Sequence, residues 1–309
     1  MKAAIPAHEG ILVVDKPVGP TSFDVVYKVR KSVGHKSVGH CGTLDPLASG
    51  VVVVCVGRYT KLVRFLTSDD KRYVAQITCG ASTPSLDKET EPDVFGDVSV
   101  VTAERLTAAL SSFRGIVSQV PPAHSALQVD GRRLYDAARK GHEVVVAARD
   151  VEVFELTLLS WEPPTATVAC HVGKGFFVRA LARDLGAAVG CPAHLSALRR
   201  THSGGYSLDD AVSLDVVRDP ERCRSALRRG RAALRGVAQV DITPEQAIKL
   251  RHGLQPTTQL APAHEVLACC GDEIVAVVNI VAGEDGSTRL VSVRGFQSEA
   301  TNETMAAPD

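Results

Sequence analysis

Gly39-His40-Cys41-Gly42-Thr43-Leu44-Asp45-Pro46-Leu47-Ala48-Ser49-Gly50 sets one carboxylate among three glycines, and the apolar run Val51-Val52-Val53-Val54-Cys55-Val56 follows directly. Glycine lets the backbone take positive φ or approach a neighbour closely. Pro46 fixes its own φ and biases Asp45 away from helical geometry. The valine run has the length and uniformity of a central strand buried on both faces. The combination reads as a stiff, irregular loop holding one acid at the mouth of a sheet, and loops held by a rigid scaffold are where catalytic residues concentrate. An Asp-Pro step alone would read as a turn with the aspartate capping the backbone. The density of special residues around Asp45 favours a site.

Upstream of this loop, residues 10–17 read as a strand ending in a turn through Gly19-Pro20. Thr21 or Ser22 then caps a helix to about Val33, with Phe23, Val26, Val29 and Val33 on one face. Residues 33–44 read as loop. Downstream, a helix is expected over 59–66 and a strand over 71–79 with Tyr73, Ala75, Ile77 and Cys79 sharing a face. Residues 80–100 are polar and acidic and read as loop. Then come a helix capped by Thr102, a strand over 115–120, a hairpin signal at Val129-Asp130-Gly131 and a helix over 132–140. Strands over 144–161 and 166–172 are followed by a helix ending at Gly190. Strands and helices mix without βαβ alternation, which predicts an α+β fold with a mainly antiparallel sheet. The character changes near Asp241. Thr243-Pro244-Glu245-Gln246 is a helix start, and three strands follow over 265–270, 274–280 and 289–293. The expected division is a catalytic domain over 1–238, a small β-rich domain over 239–297, and a disordered tail over 298–309.

Composition narrows the function class. The chain has 309 residues with 45% hydrophobic content, and no apolar run reaches the ~20 residues of a membrane span. No signal-peptide core follows Met1, so a cytoplasmic location is expected. Eight cysteines lie scattered without a Cys-x-x-Cys pair and read as reduced thiols, with no metal site. Lys plus Arg equals Asp plus Glu, 35 each, so any nucleic-acid contact must come from local patches. Lys28, Arg30, Lys31, His35 and Lys36 cluster before the Asp45 loop, and six arginines concentrate between 222 and 235. No Walker loop or dinucleotide fingerprint is present, so no cofactor is expected.

The dodecamer resembles the signature of the TruB family of tRNA pseudouridine synthases, Gly-His-x-Gly-x-Leu-Asp-Pro-x-Ala-x-Gly, and meets every fixed position of it. Three more segments are similar to that family: Lys71-Arg72-Tyr73, Lys174-Gly175-Phe176-Phe177-Val178-Arg179, and Leu198-Arg199-Arg200. Gln119-Val120-Pro121-Pro122-Ala123-His124-Ser125-Ala126-Leu127 also resembles a family element and reads as structural support. The likeness covers about residues 10–210, and the C-terminal module resembles a PUA-like appendage in size and position alone. The resemblance implies a pseudouridine synthase fold of bacterial type and isomerisation of uridine 55 in the T-loop of tRNA. By the same resemblance Asp45 is catalytic, His40 fills the space of the flipped base, Tyr73 stacks on uracil, Phe177 packs beside it, Arg179 pairs with Asp45, and Leu198 lies over the base. Phe177 stands where many relatives have tyrosine, so no hydroxyl is available there. Thr83 and Asp87 match a further family pattern only loosely. Lys16, Lys28, Arg30, Lys31 and Lys36 are the RNA-contact candidates, and a monomer acting on the tRNA T-arm is expected. Two other readings stand beside this one. A glycoside hydrolase would need two paired acids where only Asp45 has a supporting neighbourhood, and a non-catalytic RNA-binding or tRNA-folding protein would not need the Asp45, Tyr73 and Arg179 set.

Overall fold

The valine run becomes part of β3 (Ala48–Val56), flanked by β1 (Gly10–Lys16) antiparallel on one side and β8 (Ala193–Ser203) parallel on the other. A computed structural model describes residues 8–67, 70–122, 128–129, 132–133, 146–283 and 286–296. The other strands of this sheet are β2 (Val38–His40), β4 (Lys71–Cys79), β5 (Gly115–Gln119), β6 (Arg149–Glu162), β7 (Thr165–Val172), β9 (Tyr206–Ser207) and β10 (Val212–Ser213). Their order is β10-β1-β3-β8-β4-β7-β6-β5, with β2 on β3 and β9 on β8. Parallel pairing occurs at β1–β10 and β3–β8; the remaining pairs are antiparallel. The mainly antiparallel α+β fold is therefore the one adopted.

Strand periodicity explains why the run from 51 to 56 carries no polar side chain. Val52, Val54 and Val56 join Leu12 and Val14 in a core under the helices, whereas Val51, Val53 and Cys55 join Ile11 and Val13 in a second core on the opposite face. The helical side is covered by α1 (Ser22–Val33), α3 (Ala103–Ser112) and α4 (Val178–Val189). The second side holds a 3-10 turn over Gly57–Leu62 and the short α2 (Val63–Thr67), where one helix over 59–66 was expected.

Thr21 caps α1 in a reciprocal box with Asp24, and Gly34 closes it in the left-handed region. Its inward face is Ser22, Val25, Val26, Val29, Ser32 and Val33. Phe23, expected inside, points to solvent, because the helix is rotated to bring Ser22 onto the Asp45 loop. The segment 33–44 contains β2 within the expected loop. Arg132–Arg133 pairs with Gln128–Val129 as a two-residue ribbon around the hairpin signal, so these two residues are not helical. The rest of the expected 132–140 helix, His124, and the tail from 298 lie outside the described residues.

The C-terminal sheet comprises β11 (Gln239–Asp241), β12 (Thr257–Thr258), β13 (Ala263–Cys270), β14 (Glu273–Ala282) and β15 (Thr288–Gly295), in the order β11-β13-β14-β15-β12. Its helix α7 (Pro244–Arg251) starts with the expected Thr243–Gln246 box, and it follows two short helices, α5 (Leu214–Arg218) and α6 (Pro220–Ser225). This module has a core of its own, yet Leu267, Cys269, Ile274, Val277 and Phe296 pack into the second core with β1 and β3. The Phe296 ring meets Tyr59 edge-on at 5.1 Å, and the Tyr59 hydroxyl accepts a hydrogen bond from the Gly230 amide at 2.8 Å. All eight cysteines carry free thiols. Among the described residues no helix is long and apolar enough to cross a membrane.

Candidate active site

The loop that carries Asp45 is fixed from three sides. The Ser22 hydroxyl accepts from the Leu44 amide at 2.7 Å and donates to the Leu44 carbonyl at 3.2 Å. The Gly19 amide donates to the Pro46 carbonyl at 2.8 Å. From β8, fully buried Arg200 spreads its guanidinium over three loop and strand carbonyls: Nε to Val51 at 2.6 Å, Nη1 to Thr43 at 3.3 Å, and Nη2 to Gly42 at 3.1 Å. Gly50 has φ +108°, and a Cβ there would sit 2.1 Å from the Arg200 carbonyl oxygen. Gly42 has φ +137°. Two of the three glycines around Asp45 are thus required by geometry.

Arg179, in the first turn of α4, reaches this loop. Its Nε lies 3.0 Å from Asp45 Oδ2, and its Nη1 lies 3.5 Å from Asp87 Oδ2 and 3.2 Å from the Ser85 carbonyl. One buried cation therefore serves two carboxylates. Asp87 is 1% exposed and held from within its own turn. Ser85 Oγ donates to Oδ1 at 2.5 Å, the Glu89 amide donates to the same oxygen at 3.0 Å, and Thr83 donates to the Asp87 carbonyl at 2.6 Å. Leu86, with φ +62°, makes the bend that allows this. The turn is anchored to β8 by Lys88 N–Leu195 O and Leu195 N–Leu86 O bonds.

Pairing with Arg179 would by itself favour the ionised form of Asp45. The carboxyl instead stands above the usual aspartate range. Loss of water is the largest influence; Arg179 and Lys16 oppose it, while the Asp87 charge adds to it. Its side chain keeps 35% exposure, and that exposure faces the cavity.

That cavity has a volume of ≈ 650 Å³, and Asp45, Tyr73, Phe177, Arg179 and Leu198 all line it, with Lys71 and Arg200. Tyr73 and Leu198 come from neighbouring strands β4 and β8, and both are nearly buried. Phe177 immediately precedes α4, and Gln119 grips it at both backbone groups, accepting from its amide at 2.8 Å and donating to its carbonyl at 3.2 Å. His40 does not line the cavity. It ends β2, half-buried, and its Nδ1 accepts from the Gly42 amide at 3.3 Å, which leaves the ring proton on Nε2. Burial, with the Arg200 charge beside it, lowers its pKa and favours the neutral ring.

The basic candidates divide. Lys16, expected to contact RNA, is 0% exposed and donates to the carbonyls of Pro17 at 3.0 Å and Pro20 at 2.8 Å. With no exposed surface it braces the turn beside the Asp45 loop and does not reach a phosphate, and burial lowers its pKa to about 8. Arg30 is half-buried, with Nη2 3.4 Å from the Val38 carbonyl. Lys28 is half-exposed, and Lys31 and Lys36 are exposed. Of the arginine concentration between 222 and 235, Arg228 and Arg235 pair with Asp210, and Arg231 pairs with Asp241. Among the described residues no group of three His, Cys, Asp or Glu side chains could hold a metal ion.

Sequence reading missed Arg200 and gave Asp87 little weight. The signal for Asp87 was the pair of hydroxyls four and two residues before it, Thr83 and Ser85. The Leu198-Arg199-Arg200 segment contains Arg200 but does not disclose its role, because its three acceptors lie about 150 residues away.

A family model for the TruB family pseudouridylate synthase (N terminal domain) matches residues 30–178, and a model for the tRNA pseudouridylate synthase B C-terminal domain matches residues 179–259. The chain is 44% identical over 237 residues to the tRNA pseudouridine synthase B of Deinococcus radiodurans, covering 66% of this chain and 77% of that one. It is 39% identical over 253 residues to the tRNA pseudouridine synthase B of Syntrophotalea carbinolica, covering 81% and 83%. A solved Cbf5-Nop10-Gar1 complex contains a chain of the same fold, with TM-score 0.74 and 24% identity over 95% of this chain and 87% of that one.

Proposed function

Because the chain belongs to the TruB family of tRNA pseudouridine synthases, which are isomerases, we propose that it converts uridine 55 in the T-loop of tRNA to pseudouridine, with Asp45 as the catalytic residue. The observation that carries this reading is Asp45, held by a buried arginine at the wall of a cavity that aromatic rings and a leucine line.

A uridine stacked in a folded arm must be extruded before a side chain can reach its glycosidic bond, at a cost of a few kcal/mol. The cavity suits the flipped base: Tyr73 offers a ring face, Leu198 an apolar cover, and Phe177 a second ring without a hydroxyl. When the N1–C1′ bond breaks, its electron pair stays on the uracil. The ring turns, C5 bonds to C1′, the C5 proton leaves, and N1 takes up a proton, so no atom is gained or lost overall. Asp45 must be ionised to attack carbon or to remove a proton. Arg179 acts as a positioning residue that aims and charges this carboxylate, and Asp87 with Ser85 holds the guanidinium in turn. Lys28, Lys31 and Lys36 supply local positive charge for phosphates.

A tRNA transcript tritiated at uridine C5 tests the reaction. One tritium released per tRNA, with the product mapped to position 55, is the expected result. Asp45→Asn should still bind tRNA and release none. Turnover by Asp45→Asn within tenfold of wild type would remove Asp45 from the mechanism, and release mapped to another position would overturn the substrate assignment.

A further inference from the structure

On the side of α1 turned away from the sheet, Phe23 and Tyr27 are 64% and 59% exposed, and Val18, in the turn before the helix, is 58% exposed. A lone exposed apolar side chain is ordinary, whereas neighbouring large ones mark a contact surface. Phe23, Tyr27 and Lys31 follow one another at i, i+4 and i+8, which makes one ridge about 12 Å long. Lys28 lies beside it, half-exposed, and Lys36 is exposed just beyond the helix. The one acid in α1, Asp24, is taken up by its capping bonds to Thr21.

The ridge begins where the catalytic loop is anchored. Ser22 bonds Leu44 on one side of Asp45, and Gly19 bonds Pro46 on the other. Phe23 follows Ser22 directly, so the ridge starts one residue from the side chain that holds the Asp45 loop. We propose that this ridge is a stacking platform for unpaired nucleotides of the substrate RNA outside the catalytic cavity, with bases on Phe23 and Tyr27 and phosphates on Lys28 and Lys31. Aromatic rings interleaved with cations are what single-stranded RNA binds. A protein partner fits less well, since lysine is depleted from protein interfaces. The proposal rests on the reading of tRNA as substrate.

The test uses the full chain and unmodified tRNA, with binding, KM and single-turnover rate measured separately. Phe23→Leu/Tyr27→Leu keeps helix-forming apolar residues at exposed positions and removes the stacking faces. Dissociation constant and KM should both rise about 30-fold, the loss of two stacked bases at the lower end of their usual worth, with the loss falling in KM rather than in kcat. Exchanging the two rings, Phe23→Tyr/Tyr27→Phe, should retain wild-type affinity. Lys31→Gln should flatten the salt dependence by roughly 0.7 to 0.9 in slope. Affinity of the leucine variant within twofold of wild type would overturn the proposal, as would equal weakening in the ring exchange. Ridge-dependent tRNA binding by a wild-type protein that makes no pseudouridine would support this surface while removing the proposed activity. Full activity with unchanged affinity in the leucine variant would do the reverse.

Discussion

Burial raises the proton affinity of Asp45, and Arg179, with one positive charge between two carboxylates, offsets it only in part. A raised pKa means the carboxyl keeps its proton to a higher pH than a free aspartate, so the ionised form is lost earlier on acidification. The acid limb of the single-turnover rate should therefore lie above the ordinary aspartate range. Asp87→Asn removes a charge that pushes this pKa up, so the limb should move to lower pH. The plateau rate should also fall, by about 10- to 100-fold, because Arg179 loses a partner that holds its fork in place. A pH profile of Asp87→Asn that superposes on wild type after scaling would show that Asp87 does not act through Asp45. Arg200 makes a parallel case: a lysine cannot reach three carbonyls at once, and each hydrogen bond from a charged donor is worth about 1.5–3 kcal/mol. Arg200→Lys should lower both the denaturation midpoint and the rate. Asp45, Tyr73, Phe177, Arg179 and Leu198 were legible as residues of one cavity because short local motifs carry them. Lys16 and Arg200 were not, because a lysine or an arginine reads as solvated until the fold reveals the backbone carbonyls that receive it.

Among the elements, β8 decides how the site is assembled, since it touches β3 on one side and β4 on the other. It supplies Leu198 to the cavity and Arg200 to the loop, and its Leu195 anchors the Asp87 turn. Its strand character is hidden in the sequence. Register irregularities between Leu195 and Ala197, and again between Arg200 and His202, shift the in-and-out alternation twice, so no single period of two spans it. By contrast, β3 was legible because both of its faces are buried. The approach of β8 to β3 at Gly50 admits no side chain. Gly50→Ala should destabilise the protein by about 1–3 kcal/mol from overpacking alone, with added strain from a φ of +108°. Urea midpoints measure this. An unchanged midpoint would mean that the loop and β8 separate without penalty. The rotation of α1 belongs to the same scale, because hydrophobic periodicity does not see that Ser22 is needed inside to bond Leu44.

Across the whole molecule, the catalytic sheet is sandwiched between a helical layer and the C-terminal module, and the strands that flank the Asp45 loop contribute to both cores. Composition and caps made the second sheet visible in the sequence. Its attachment was not visible, since no local pattern says that Phe296 ends on Tyr59 some 240 residues earlier. Treating the module as a detachable RNA-binding appendage predicts that removing residues 239–309 only weakens substrate binding. The shared core predicts otherwise: removal would bare Ile11, Val13, Val51 and Val53 on the back of β1 and β3. The truncated chain should be aggregation-prone and inactive at any tRNA concentration. A point substitution separates stability from RNA contact more cleanly. Phe296 is buried against Tyr59 and under the Arg58 guanidinium, 5.2 Å from its ring. Phe296→Ala should cost about 3–5 kcal/mol of stability. At a temperature where the variant is still folded, its single-turnover rate should stay near wild type, because Phe296 does not line the cavity. Thermal melts beside single-turnover assays at 20 °C decide the matter. A variant that melts like wild type but needs more tRNA would show that the module touches RNA without bracing the sheet.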